Sequence, residues 1–168
     1  ILQRAYVAMQ HALDKAWADR AQPSVLRTPD EALILASIVE KETGVADERP
    51  QIAGVFTRRL KIGMRLQTDP TVIYGMGSAY AGNIRRADLL ADTPYNTYTR
   101  TGLPPTPIAM PGLDALRAVV RPAEGESLFF VAVGDGSGRH VFTRTLAEHQ
   151  AAVQAYLQRY RQQQQKAQ

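Results

Sequence analysis

The sequence predicts an α+β fold that is mostly helical, with a cleft beside a central buried helix, a small C-terminal β-hairpin and a terminal helix. Apolar residues recur with helical spacing in several segments, whereas residues 128–143 have the strand–turn–strand pattern of a hairpin. A length of 168 residues is typical of one domain with a substantial core. We therefore expect a single domain over residues 1–161, cut from a longer protein, and a Gln-rich flexible tail over residues 162–168.

The central helix is predicted from a nearly all-apolar stretch, residues 33–44, and from the signals around it. Thr28 is placed to cap the N-terminus, and Pro29 suits the first helical position, where a missing N–H costs nothing. Glu31 completes a capping box three residues after Thr28. Gly44 is expected to end the helix in the left-handed conformation.

Glu40 is the predicted catalytic residue on this helix. Ala36 and Ser37 lie one turn before it on the same face, and two small side chains would leave a groove in front of its carboxyl. Apolar surroundings and the negative end of the helix dipole favour a carboxyl that stays protonated and serves as a general acid. Glu42 is expected to point about 160° away from Glu40, at ~100° per residue.

The other elements follow in chain order. The apolar spacing predicts an amphipathic helix over residues 2–20 and, after a linker, a third helix that begins at a capping Asp47 and ends at Gly63. Residues 64–111 read as a long, functional loop region with one short helix at 85–90. The last three predicted elements are a short helix over 112–120, the hairpin, and a C-terminal helix. This last helix begins with a Thr145–Glu148 capping box and is expected to fray within 162–165.

Composition excludes several classes of function. The chain has no cysteine, so disulfides, cysteine nucleophiles and thiolate metal sites are excluded. The sequence contains no glycine-rich phosphate loop and no metal-ligand spacing, and we expect neither a cofactor nor a metal. A net charge of +4 favours an anionic partner, and the basic cluster of Arg58, Arg59 and Lys61 reads as a solvated helix face. No apolar run approaches the ~20 residues that span a membrane, so we expect the chain to be soluble as given.

The long loop region holds the polar groups that suit a carbohydrate groove. Its candidates are amide, carboxylate and tyrosine side chains, because amides bind sugar hydroxyl and N-acetyl groups and aromatic rings stack on sugar faces. The same amides and carboxylates could instead cap loop backbone. The candidates are Gln67, Asp69, Tyr74, Tyr95, Asn96 and Tyr98.

Five blocks of sequence resemble the MltG (YceG-like) family of endolytic murein transglycosylases. They are residues 36–42 (ASIVEKE), 63–75 (GMRLQTDPTVIYG), 94–98 (PYNTY), 102–105 (GLPP) with Pro107 and Ile108, and the closing pair 130–132 (FVA) and 140–142 (HVF). The resemblance implies a lysozyme-like cleft in which Glu40 is the catalytic glutamate. It also implies that Gln67, Tyr95 and Asn96 contact N-acetylated sugars, with Asp69, Tyr74 and Tyr98 as further candidates.

The family resemblance also implies the setting. Its substrate is the peptidoglycan glycan strand, cut near the penicillin-binding synthases that make it, with no nucleic-acid partner. The full-length protein is expected at the periplasmic face of a bacterial inner membrane, attached through an upstream single-pass anchor that lies outside this sequence.

Three functions stay open on the sequence. The first is lytic cleavage of the β-1,4 bond between N-acetylmuramic acid and N-acetylglucosamine, with Glu40 acting first as acid and then as base to form a 1,6-anhydro end. The second is a hydrolytic muramidase in which Glu40 works with Asp69, Glu42 being the poorer partner because of its orientation. The third is a non-catalytic module that binds glycan strands or another anionic polymer.

Overall fold

The computed structural model describes residues 2–166 as seven α-helices and a two-stranded antiparallel sheet, with two short 3₁₀ turns. The helices and strands are, in chain order, α1 Leu2–Ala18, α2 Pro29–Glu42, α3 Arg49–Lys61, α4 Asp69–Met76, α5 Arg86–Leu90, α6 Leu113–Val120, β1 Phe129–Ala132, β2 His140–Thr143 and α7 Leu146–Lys166. The 3₁₀ turns are Ala46–Glu48, before α3, and Gly77–Ala79, after α4. No helix described between residues 2 and 166 is long and apolar enough to cross a membrane.

Helix α2 is the centre of the core. Its apolar residues are almost all inaccessible to solvent, and α6, α3, α1 and α4 each pack against it. Burial of a Leu or Ile side chain is worth roughly 1.5–3 kcal/mol, so this helix contributes a large part of the folding free energy. The fully buried residues are Ala32, Leu35, Ala36, Ser37, Ile38 and Val39.

Several predicted elements are confirmed. Helix α2 starts as expected, because Thr28 Oγ1 accepts a hydrogen bond from the Glu31 N–H at 3.2 Å. The hairpin pairs β1 with β2 in the predicted segments, with Phe130 opposite Phe142. Helix α7 opens with the predicted capping box, in which Thr145 N–H donates to Glu148 Oε2 at 3.1 Å and Thr145 Oγ1 accepts from Glu148 N–H at 3.2 Å.

Both predictions for the junction between α2 and α3 are wrong. Helix α2 ends at Thr43, which is extended at φ −143°, and Thr43 Oγ1 accepts from the Val45 N–H at 2.9 Å. This hydrogen bond stabilises a turn directly after the helix, and Gly44 does not adopt the left-handed conformation. Asp47 does not cap α3 either, because it lies in the Ala46–Glu48 turn and pairs with Arg139 at 2.9 Å.

The loop prediction for residues 64–111 missed a helix. Thr68 occupies the N-cap of α4, and Asp69 and Pro70 fill its first turn, where Pro is tolerated. The short helix at Arg86–Leu90 agrees with the prediction. At the C-terminus, α7 continues to Lys166 instead of decaying within 162–165, and the last two residues of the predicted tail lie outside the described residues.

A substitution at Gly54 tests the close contact between α3 and the backbone at Ala123. A Cβ at Gly54 would lie 2.5 Å from the Ala123 carbonyl oxygen, whereas a Cβ at Gly44 would meet nothing within 4 Å. We expect Gly54→Ala to destabilise the protein by roughly 1–3 kcal/mol despite the better helix propensity of Ala. Urea unfolding of Gly54→Ala beside the control Gly44→Ala measures this, and equal stability of the two variants would contradict the close approach.

Candidate active site

A cleft of about 500 Å³ lies between the C-terminal end of α2 and the layer made by the hairpin and α7. One wall is polar and comes from α2, α3 and the segments around residues 67 and 98, and the other wall is mainly apolar. The polar side chains are Glu42, Arg59, Gln67, Asp69 and Tyr98, and the facing side chains are Phe129, Phe130, Val131, Leu146, His149 and Val153.

Glu42 is the acid in this cleft. It is the last residue of α2, and its Oε1 accepts a short hydrogen bond from the Thr68 hydroxyl. Burial raises the pKa of the Glu42 carboxyl, and the nearby Asp69 raises it further. The Thr68 hydrogen bond and the positive charge of Arg59 act in the opposite direction on this pKa, without reversing the shift. The carboxyl is therefore suited to hold a proton.

Gln67 lies beside Glu42 in a conformation that costs energy. Its φ is +49°, the one positive φ of a non-glycine residue among residues 2–166. Two hydrogen bonds from the segment after α5 hold this turn in place: Gln67 N–H donates to Thr97 O at 3.1 Å, and Thr68 N–H donates to Thr97 Oγ1 at 3.0 Å. Backbone strain that is held in this way is characteristic of functional sites.

Asp69 and Tyr98 form a pair on the same wall. The Tyr98 hydroxyl donates to Asp69 Oδ1 at 2.5 Å. Burial raises the pKa of the Tyr98 hydroxyl, and the Asp69 carboxylate raises it further, so this hydroxyl stays protonated as a donor. Asp69 keeps its other oxygen for a ligand in the cleft.

The structure does not bring Glu40 together with these residues. Its carboxyl lies on the other side of α2, where Oε2 accepts from the Gly112 N–H at 2.9 Å and Oε1 lies 4.0 Å from Arg49 Nη2. Glu40 therefore ties α2 to the segment that enters α6. The two small side chains before it do not line an open groove, because Ala36 and Ser37 are fully buried and Ile108 N–H donates to Ser37 Oγ at 2.9 Å.

Three further candidates also lie outside the lining of the cleft. Asn96 is 1% exposed, its Nδ2 donates to the carbonyls of Asp88, Leu89 and Ala91, and its Oδ1 accepts from the Tyr98 N–H at 2.8 Å. Its amide is thus used by the loop, which is the capping alternative left open by the sequence. Tyr74 and Tyr95 pack against each other with ring centroids 4.9 Å apart, and the Tyr95 hydroxyl bonds Thr106 Oγ1 at 2.7 Å.

Sequence reasoning missed three residues of the site. Thr68 bonds Glu42 but is not among the sequence candidates, and Arg59 is 6% exposed although its basic cluster reads as a solvated face. His149 lines the cleft, stacked on Phe129 at 5.2 Å, and burial lowers the pKa of its imidazole. An N-capping Thr before Asp-Pro could have identified Thr68. Arg59 lies three and four positions after Phe56 and Val55, on the apolar face of α3, and this spacing could have separated it from the exposed Lys61. Among residues 2–166, no three His, Asp or Glu side chains are placed to hold a metal ion.

Fold and site together define a mostly helical α+β domain whose cleft holds a glutamate of raised pKa, Glu42, beside a second carboxyl, Asp69. The profile of the YceG-like family matches residues 1–155, and the chain belongs to this family. It is 43% identical over 125 residues to an endolytic murein transglycosylase of Bacillus subtilis, covering 74% of this chain and 34% of that protein. It is 37% identical over 133 residues to an endolytic murein transglycosylase of Streptococcus pneumoniae, covering 73% of this chain and 24% of that protein.

A solved structure agrees with the sequence relatives. The crystal structure of a putative yceG-like protein from Listeria monocytogenes superposes with a TM-score of 0.68 at 41% identity. The superposition covers 73% of this chain and 39% of that chain. The chain thus spans between about a quarter and two fifths of the length of these relatives.

The structural use of Asn96 predicts a stability defect. Asn96→Ala removes the buried side chain that bonds three carbonyls and one N–H of its loop, and a group left unsatisfied away from water costs about 1–3 kcal/mol. We expect a loss of at least about 2 kcal/mol in the free energy of unfolding, measured in urea. The exposed Asn83→Ala is the control, and an Asn96→Ala protein as stable as this control would restore Asn96 as a free substrate ligand.

The raised pKa of Glu42 predicts that its charge destabilises the fold. The folded carboxyl binds its proton more tightly than the unfolded one, so stability falls as pH rises from the unfolded value near 4.3 through the folded pKa. Glu42→Gln removes this penalty, and its melting temperature should exceed that of the parent by a margin that widens between pH 4 and pH 8. Glu40→Gln is the control. A margin that shrinks as pH rises would contradict the shift.

Proposed function

We propose that this chain is the catalytic domain of a lytic transglycosylase that cleaves the β-1,4 bond between N-acetylmuramic acid and N-acetylglucosamine in peptidoglycan. The observation that carries the proposal is the Glu42 carboxyl, held by Thr68 in a cleft that also contains Gln67 and Asp69. The Bacillus subtilis and Streptococcus pneumoniae relatives, both endolytic murein transglycosylases, support the reaction class.

Glu42 takes the role that the sequence assigned to Glu40. Both carboxyls lie in the last turn of α2, but Glu42 faces the cleft and has a raised pKa, whereas Glu40 is bonded to the backbone before α6. A general acid must reach the oxygen that it protonates, and this requirement favours the group with open space in front of it. Gln67, Asp69 and Tyr98 keep their proposed contacts with the sugars, because they share this cleft.

The first step is proton donation by Glu42. The Thr68 hydroxyl donates to Oε1, so the acidic proton is carried by Oε2. Oε2 gives this proton to the glycosidic oxygen as the bond to C1 of the muramoyl residue breaks, and the glucosaminyl residue leaves with a free hydroxyl at C4. The positive charge that develops at C1 and the ring oxygen is stabilised by the substrate's own acetamido group or by the Gln67 amide.

The second step uses the same carboxyl as a base. Glu42, now a carboxylate, takes the proton of the muramoyl C6 hydroxyl, and O6 forms a bond to C1. This closes the 1,6-anhydro ring and returns Glu42 to its protonated form, so no water is consumed. The Thr68 hydrogen bond and the nearby positive charge of Arg59 stabilise the carboxylate between the two steps.

A hydrolytic muramidase is the alternative enzyme. Asp69 shares the cleft with Glu42, and ordinary glycosidases use a second carboxylate as nucleophile or base. In that mechanism a water molecule reaches C1 and leaves a reducing end, so the products separate the two reactions. The third possibility, a module that only binds glycan, predicts no product at all.

The setting of the whole protein is also a proposal. The family resemblance supports action on nascent strands beside peptidoglycan synthases, at the periplasmic face of the inner membrane, with an anchor outside this sequence.

The decisive experiment is mass spectrometry of purified peptidoglycan digested by this chain, Glu42→Gln and Glu40→Gln. Muropeptides lighter by one water, ~18 Da, than hydrolysis products are expected from the parent. Glu42→Gln should lose about 10²–10⁴-fold in rate, the range for removal of a general acid. Glu40→Gln keeps its carbonyl acceptor for Gly112 and should retain most activity.

Each other result points elsewhere. Reducing ends would make the enzyme a hydrolase and would turn attention to Asp69→Asn. Loss of activity in Glu40→Gln with full activity in Glu42→Gln would restore the sequence-based assignment. Retained strand binding by all three proteins without any product would identify a binding module.

A further inference from the structure

Arg59 presents a cationic donor in the cleft that the protein itself does not satisfy. Its Nε donates to Leu128 O and its Nη1 to Leu66 O, each at 2.6 Å. Within residues 2–166, no acceptor bonds Nη2 and no carboxylate oxygen lies within 4.0 Å of the guanidinium. The side chain is 6% exposed, and its remaining accessible surface lines the cleft.

Burial of this guanidinium makes binding of an anionic partner energetically favourable. Arginine stays charged in proteins, and a desolvated charge without a counter-ion is costly. The Phe129 ring lies 5.3 Å from Cζ, and together with the two carbonyls it fixes the plane of the guanidinium. The acid that faces the same space, Glu42, is neutral in its protonated form, so it does not compensate Arg59 before the reaction.

The substrate in the proposed function carries one group that fits this donor. Peptidoglycan alternates two sugars, and the muramoyl residue alone bears a lactyl ether that ends in a carboxyl group. This group is a free carboxylate in denuded strands and an amide carbonyl in peptide-bearing strands. Guanidinium donors bind carboxylates with charge-assisted hydrogen bonds, and they bind neutral carbonyls more weakly.

Building on the proposed function, we propose that Arg59 is a specificity-determining residue whose Nη2 binds the lactyl carboxylate or carbonyl of the muramoyl residue. Because every second sugar bears this group, the contact sets the register of the strand. It places the C1 atom of a muramoyl residue, rather than that of a glucosaminyl residue, at Glu42. The apolar side chains of Phe129, Leu146 and Val153 across the cleft suit the lactyl methyl group.

Titration of the chain with the two free monosaccharides, followed by NMR, tests the contact without any catalytic step. N-acetylmuramic acid and N-acetylglucosamine differ by the lactyl group, and a charge-assisted hydrogen bond predicts at least about tenfold tighter binding of the former. The carboxamide of N-acetylmuramic acid should bind with intermediate affinity. Arg59→Gln should abolish the preference.

The matched control is Arg58→Gln. Arg58 precedes Arg59 on α3, and its Nε and Nη1 also donate to backbone carbonyls, those of Ser127 and Ala123, but it does not line the cleft. This control removes the same kind of hydrogen bonds and should keep the preference. Since Arg59→Gln also removes structural bonds, the side-chain Nε resonances of the parent protein provide a second measurement. N-acetylmuramic acid should shift the resonance of Arg59 and leave that of Arg58 in place.

Equal affinity for the two monosaccharides, or an unchanged preference in a folded Arg59→Gln protein, would overturn the proposal. So would a parent protein in which N-acetylmuramic acid leaves the Arg59 resonance unmoved. If the protein cleaves glycan strands but binds the two monosaccharides equally, the role of Arg59 is rejected and the transglycosylase proposal stands. If it binds N-acetylmuramic acid more tightly but does not cleave strands, the Arg59 site is supported and the proposed reaction is rejected.

Discussion

The structure depends on the burial of most of α2. A helix whose residues from Ala32 to Val39 are so largely inaccessible needs neighbours on several sides, and α1, α3, α4 and α6 pack against it here, while Asp30 and Lys41 stay exposed. The buried polar groups at the ends of such a helix must then find partners within the protein. The Thr28 hydroxyl and the Thr43 N–H supply partners at the two ends of the backbone, and the loops around α2 supply those of its carboxyls.

This extensive burial explains why the sequence identifies the helix but does not show which of its two carboxyls faces the cleft. Capping residues act over three or four positions, so Thr28 and Pro29 reveal the start of α2 without any knowledge of the fold. A choice between Glu40 and Glu42 needs a difference between the two faces. Leu35 and Ile38, on the side of Glu42, are as inaccessible as Ala36 and Ser37, on the side of Glu40, so apolar periodicity contains no such difference.

The residues that sequence analysis placed wrongly are held by contacts between distant parts of the chain. Arg59 bonds Leu128, 69 positions away, and Gln67 is held by Thr97, 30 positions away. Helical spacing places Arg59 on the apolar face of α3, but no local pattern predicts that its guanidinium bonds Leu128 or that the turn at Gln67 is strained. Of the candidates that stand close together in their motifs, Gln67, Asp69 and Tyr98 line the cleft, whereas the amide of Asn96 bonds the backbone of its own loop.

The two carboxyls at the end of α2 have different partners and different roles in the structure. In the proposed reaction, the Glu42 carboxyl must be held to within a fraction of an ångström and must also keep one oxygen free for substrate. Glu40, two residues earlier, is bonded to the Gly112 N–H and lies near Arg49, so it fixes the last turn of the helix from the opposite side. Arg59 then joins the wall near Leu66 to the hairpin at Leu128, which fixes the width of the cleft in front of Glu42. The acid is thus positioned by contacts that leave its reacting oxygen unoccupied.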